Sequence, residues 1–151
     1  MNYKIKDLEE MIMISSDGQS WEEALMKLEG YLDNSNISSQ GFYYIEAYSS
    51  GGVAGAMALA KVDREPKRNS EFMASKLEPG KYLIFDYPYE KYVEDNMPGA
   101  DEELDVKGYL NEKGYMIGGF PFFEFLEETD NKIIRIYVPI VKIWFINLID
   151  A

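Results

Sequence analysis

The chain has 151 residues, enough for one domain with a sizeable core and too few for a comfortable second one. It contains no cysteine and no histidine, which removes disulfides, thiolate nucleophiles, histidine bases, the Ser-His-Asp triad and almost every zinc site. Its 27 acidic residues against 15 basic ones give a formal charge of −12, which repels nucleic-acid phosphates and anionic membranes, so direct binding to either is not expected.

No stretch reaches the ~18 apolar residues that span a bilayer, and the opening residues lack a long apolar run, so a cytoplasmic protein is the expectation. Residues 11–14 form a short apolar run closed by Ser15-Ser16-Asp17-Gly18, which predicts a strand ending in a turn. Ser20-Trp21-Glu22-Glu23 then has the capping-box pattern, with Trp21, Leu25, Leu28 and Leu32 following on one helical face. After a polar break at 34–40, strands at 42–48 and 55–62 are joined through Ser49-Ser50-Gly51-Gly52 as a hairpin. A charged connector occupies 63–70. Pro79-Gly80 turns the chain into Lys81-Tyr82-Leu83-Ile84-Phe85, a strong strand.

Pro98-Gly99 separates a helix within 90–96 from a better one at 101–113. The second begins with Asp101, Glu102 and Glu103, which suit a helix N-terminus, and is followed by Gly114. Strands at 120–126 and 133–141 make a second hairpin. The C-terminal extension, 142–151, carries Trp144, Phe145 and Ile146 and reads as an extra edge strand.

One phrase occurs twice: Gly41-Phe42-Tyr43-Tyr44-Ile45-Glu46 and Gly119-Phe120-Pro121-Phe122-Phe123-Glu124. Together with the order strand, helix, strand, strand in each half, it predicts two β-α-β-β repeats, about 8–63 and 79–141, within one α+β domain. The expected architecture is a mainly antiparallel sheet with helices on one face and a ligand groove on the other, between the repeats. Alternation puts Phe120, Phe122, Glu124 and Leu126 on one face, and Phe42, Tyr44, Glu46 and Tyr48 on the equivalent face of the first half. In the last strand Ile134, Ile136, Val138 and Ile140 form an apolar side for the helices. Ile133, Arg135 and Tyr137 are left for the groove, with Met57 and Leu59 at the matching first-half positions.

Glutamate is rare inside strands and costly to bury unpaired, so Glu46 and Glu124 among aromatic rings point to a large, flat ligand with cationic character. The candidate ligand-binding residues are therefore Glu46, Tyr44, Phe42, Phe122, Arg135, Met57 and Leu59, beside Glu124. The plainer reading of Glu124 is an exposed acid paired with Arg135 across the hairpin. The acidic runs at 101–103 and 127–128 read as solvated, Gly51-Gly52 lacks the strand-to-helix context of a phosphate loop, and no metal or other cofactor is implied.

The blocks Leu77-Glu78-Pro79-Gly80-Lys81-Tyr82-Leu83-Ile84-Phe85, Gly114-Tyr115 before Phe122-Phe123-Glu124-Phe125, and Ile136-Tyr137-Val138-Pro139-Ile140 resemble the GyrI-like small-molecule-binding superfamily. The resemblance covers roughly 11–141 and implies two strand-helix-strand-strand repeats around a ligand groove. It also implies a stand-alone effector-binding domain, since no helix-turn-helix precedes the first repeat. It makes Glu124 the pocket glutamate that faces lipophilic cations in relatives, and places Tyr137 in the matching Tyr-x-Pro strand. Some stand-alone relatives are hydrolases that open the cyclopropane of DNA-alkylating antibiotics. On that reading Glu124, with Glu46, activates water and Tyr137 hydrogen-bonds the carbonyl that gains charge, so Glu124 and Tyr137 are the catalytic candidates. The resemblance leaves open whether this chain only binds, for protection against xenobiotics, or also hydrolyses. The alternative from another class is an acidic protein-interaction module, like the gyrase-inhibitory members, with a basic protein partner.

Overall fold

The computed structural model of the chain describes residues 2–49, 52–64, 73–77, 79–90, 100–128 and 131–143. Residues 91–96 of the predicted helix range 90–96, most of the 63–70 connector and the extension beyond Ile143 lie outside the described residues. The elements in chain order are β1 (Lys4–Leu8), β2 (Met11–Gly18), α1 (Trp21–Asn34), β3 (Gly41–Ser49), β4 (Gly52–Val62), β5 (Met73–Leu77), β6 (Gly80–Pro88), α2 (Ala100–Lys113), β7 (Tyr115–Ile117), β8 (Phe122–Glu128) and β9 (Asn131–Lys142). Every strand pair with a defined register is antiparallel, and the class is α+β, as the sequence implies. The chain forms two compact units, one of Glu9–Pro79 with Phe122–Glu124, the other of Met1–Leu8, Gly80–Pro121 and Phe125–Ala151.

In the first of these, the β3 unit, the strands run in the order β5-β2-β4-β3, with the start of β8 beside β3. Helix α1 packs on β2 and β4. The Ser20 half of the predicted capping box is met, the Glu23 amide donating to Ser20 Oγ at 3.2 Å, while the Glu23 carboxylate reaches one residue beyond the N-cap and accepts from the Gln19 amide at 3.1 Å. Ala24, Leu28 and Leu32 are the buried positions of the helix, while Leu25 is half-buried, so the core-facing stripe is centred one residue earlier than the leucines alone suggest. The predicted turn at 15–18 is instead a continuation of β2. Its residues pair with β4 from Ser15 opposite Leu59 to Gly18 opposite Ala56, so their backbone groups are satisfied by a ladder. Glycine is required at the end of that strand, because a Cβ on Gly18 would lie 2.7 Å from the Ala24 nitrogen.

In the β9 unit the order is β1-β6-β9, and the short β7 pairs with the end of β9. Leu83, Phe85 and Tyr87 stand opposite Val138, Ile136 and Ile134 in register, and all six are buried. Each such aliphatic or aromatic side chain contributes roughly 1.5–3 kcal/mol on leaving water, which makes this two-strand face the core of the unit. Tyr3 ties α2 to it: the ring packs edge-on against Phe85 at 5.3 Å and tilted against Tyr109 at 4.9 Å, and the hydroxyl donates to Asp105. Val106 and Leu110 are the buried residues of α2 among those whose side chains are described. The helix stops at Gly114, whose φ of 83° is open to glycine and strained for other residues, and whose amide donates to the Asn111 carbonyl at 3.1 Å. Among the described residues no helix is long and apolar enough to cross a membrane.

Candidate ligand-binding faces

The register of β3 fixes which aromatic residues share a face. Tyr44 stands opposite Ala58 on one side and Phe123 on the other. Its ring stacks on Phe123 with centroids 5.7 Å apart, and Trp21 of α1 lies 5.7 Å from Tyr44 and 6.4 Å from Phe123. This is the side that α1 covers, and Ala56, Ala58 and Ala60 are buried there because only small residues let a helix lie so close. Phe42, opposite Ala60, shares that side. The sequence-based grouping of Tyr44 and Phe42 with Glu124, Met57 and Leu59 is therefore corrected: Tyr44 and Phe42 belong to the helix side of the strands. Glu46 pairs with Ala56 and has the same parity as Tyr44; its side chain lies outside the described residues.

The place beside Glu124 is taken by Tyr43. Tyr43 stands opposite Leu59, and its ring meets Phe122 edge-on, with centroids 5.5 Å apart and planes at 88°. Phe122 and Glu124 flank Phe123 in β8 and so point to the side away from α1. Burial, and then the negative charge of Glu124, push the Tyr43 phenol above its ordinary pKa of 10.0. Tyr43, Phe122 and Leu59 are buried, while Glu124, Ile45 and Met57 are half-buried. This face thus joins two aromatic rings, aliphatic and thioether surface, and one partly accessible carboxylate. Phe120, expected on the same strand, precedes β8 and is 84% exposed, so the phrase built on Gly119 enters its strand three residues later than the one built on Gly41.

In the β9 unit the alternation read from the sequence holds. Ile134, Ile136, Val138 and Ile140 are buried, and the half-buried Ile133, Arg135 and Tyr137 occupy the opposite side. Arg135 is held by Asp86, its direct partner in register, through Nε to Oδ1 at 2.8 Å and Nη2 to Oδ2 at 3.3 Å. Tyr137 stands opposite Ile84, and Ile84 opposite Lys4. A concavity of about 460 Å³ opens on this side, lined among others by Lys4, Lys6, Ile84, Asp86, Arg135 and Tyr137. On the other side of β1, Asp7 pairs with Lys81 at 2.9 Å. Sequence reasoning missed β1 altogether, since Lys4-Ile5-Lys6-Asp7-Leu8 carries more charge than a strand usually does. Among the described residues no cluster of three or more acidic or other ligating side chains is placed to hold a metal ion.

The fold is similar to that of several solved structures. EcmrR in its DNA complex matches with a TM-score of 0.66 and 10% identity over 94% of this chain, which spans 58% of that protein's chain. The isolated EcmrR C-terminal domain matches with a TM-score of 0.64 and 10% identity, over 94% of this chain and 98% of that domain. SAV2435 bound to tetraphenylphosphonium gives 0.53 and 13% identity, over 93% and 94% of the two chains. A hydrolase from Listeria innocua gives 0.58 and 10% identity, over 92% and 91%. No protein-family model and no curated protein sequence matches the chain.

Proposed function

We propose that this chain is a GyrI-like domain that binds hydrophobic, aromatic small molecules of cationic character, in a role of protection against xenobiotics. The observation that carries the reading is the gathering of Tyr43, Phe122 and Glu124 on one side of β3 and β8, with Leu59 and Met57 beside them. Aromatic rings present negative faces and a carboxylate adds a full charge, so a bulky organic cation gains from both while its apolar body leaves water. The similarity in fold to SAV2435, a protein solved with tetraphenylphosphonium bound, supports the same ligand class.

The test is calorimetric titration with tetraphenylphosphonium. Glu124→Gln removes the charge and keeps the shape, and is expected to weaken binding about tenfold, equivalent to ~1.4 kcal/mol. Absence of binding to the unaltered protein, or equal affinity in Glu124→Gln, would sink the proposal. Its hydrolytic extension, in which Glu124 deprotonates a water, rests on a separate measurement: incubation with a cyclopropane-bearing DNA alkylator and mass spectrometry of the small molecule. Catalytic gain of one water that disappears in Glu124→Gln would make the chain an enzyme, and an unaltered compound would leave it a binding protein.

A further inference from the structure

The concavity of the β9 unit has the opposite electrical character from the chain as a whole. In a protein with a formal charge of −12, the described residues lining this space include Lys4, Lys6 and Arg135 against one carboxylate, Asp86. Asp86 is engaged by the Arg135 guanidinium, so the positive surplus lies on β1. Lys4 and Lys6 are two residues apart on that strand and therefore share a side, and both are exposed. Across the strands, Lys4, Ile84 and Tyr137 form one register row: an ammonium group, an aliphatic floor and a phenol ring. Lysines on an edge strand also discourage unwanted strand pairing, but that role calls for no concavity and no apolar floor.

From this arrangement we infer that the β1–β6–β9 face is a second binding site, for an amphipathic organic anion. The ligand's carboxylate, sulfonate or phosphate sits between the Lys4 and Lys6 ammonium groups, and its apolar body lies over Ile84 and the Tyr137 ring. The volume of about 460 Å³ is in the range of small-molecule clefts and accommodates a two-ring ligand. Charge-assisted contacts from two ammonium groups select an anion, and a cation of the same shape is repelled by them. The site goes beyond the proposed function: it uses other residues and the opposite ligand charge.

The experiment compares naphthalenesulfonate with naphthylmethyltrimethylammonium on the full chain. It combines calorimetry with amide shifts at Ile84 and Tyr137, in the unaltered protein and in a variant carrying Lys4→Gln and Lys6→Gln. Both lysines are exposed, so the variant is expected to keep its melting temperature. The sulfonate is expected to bind with shifts at Ile84 and Tyr137, to bind about tenfold more weakly in the variant, and to weaken as salt is raised. The trimethylammonium compound is expected to leave Ile84 and Tyr137 unmoved. No binding of the sulfonate, equal affinity in both proteins, or shifts confined to Tyr43 and Leu59 would each overturn the inference. Because tetraphenylphosphonium is measured against Glu124→Gln, failure of either site is read independently of the other.

Discussion

Tyr43 and Glu124 share the side of the β3 unit that faces away from α1, and the carboxylate acts with burial to hold the Tyr43 phenol in its protonated form. Burial is the larger cause and Glu124 the second. Spectrophotometric titration of tyrosinate, with Tyr43→Phe as the reference that isolates one residue, is therefore expected to show the Tyr43 pKa falling in Glu124→Gln yet staying above 10.0. An unchanged value would mean that the carboxylate points elsewhere in solution.

The same shift makes a stability prediction in the alkaline range. Tyr43, Tyr44 and Tyr82 are all raised above 10.0, chiefly by burial. Above that pH the unfolded chain releases these protons while the folded chain keeps them, so the unfolded state binds fewer protons and stability falls as pH rises. Their contribution is fully present below the unfolded value and is lost through the folded ones. Urea unfolding at a series of pH values is expected to show this decline beginning near 10.0. The decline should be shallower in Tyr43→Phe; parallel curves for the two proteins would contradict the assignment.

Trp21 joins the first turn of α1 to the stacked pair Tyr44 and Phe123. An aromatic pair is worth ~0.5–1.5 kcal/mol beyond its buried area, and Trp21 pairs with both Tyr44 and Phe123, so Trp21→Ala is expected to cost about 3 kcal/mol in urea unfolding and Trp21→Phe about 1 kcal/mol. A loss below about 0.5 kcal/mol for the alanine variant would show that the indole is dispensable, as most surface substitutions are.

Much of the fold was legible because its signals are local. The capping box at Ser20 and Glu23 and the isoleucine and valine alternation of β9 each act within a few residues and appear where the sequence puts them. The candidate face was legible only in part, because it depends on pairing. Aligning the two repeated phrases on their glycines equates Tyr44 with Phe122. The hairpin register puts Tyr43, not Tyr44, opposite Leu59, and a shift of one residue in a strand exchanges its two sides. The clue lay in β4, where Ala56, Ala58 and Ala60 alternate with Met57 and Leu59. The small residues mark the side a helix approaches, so the partner of Leu59 had to lie on the other side. The β1 strand was hidden for a different reason: among the described residues only one of its edges is paired, and such an edge strand tolerates the charges on Lys4, Lys6 and Asp7.

Two glycines near α1 are expected to respond to alanine in opposite directions. At Gly30, within the exposed surface of the helix, a Cβ would meet nothing within 4 Å. Alanine there removes backbone freedom from the unfolded chain and is expected to stabilise the protein by about 0.5–1 kcal/mol. At Gly18 the added carbon would lie 2.7 Å from the Ala24 nitrogen and 2.9 Å from the Ser20 oxygen, both of them backbone atoms at the start of α1. Neither atom can swing aside as a side chain would, so the end of β2 must separate from the helix, and Gly18→Ala is expected to cost about 1–3 kcal/mol. Because Gly18 pairs with Ala56 on β4, the same displacement is expected to reduce hydrogen-exchange protection at the β2–β4 ladder while leaving β6 and β9 unaffected. Protection lost uniformly across both units would instead mean that Gly18→Ala acts through global unfolding, with no local role for the close approach of β2 and α1.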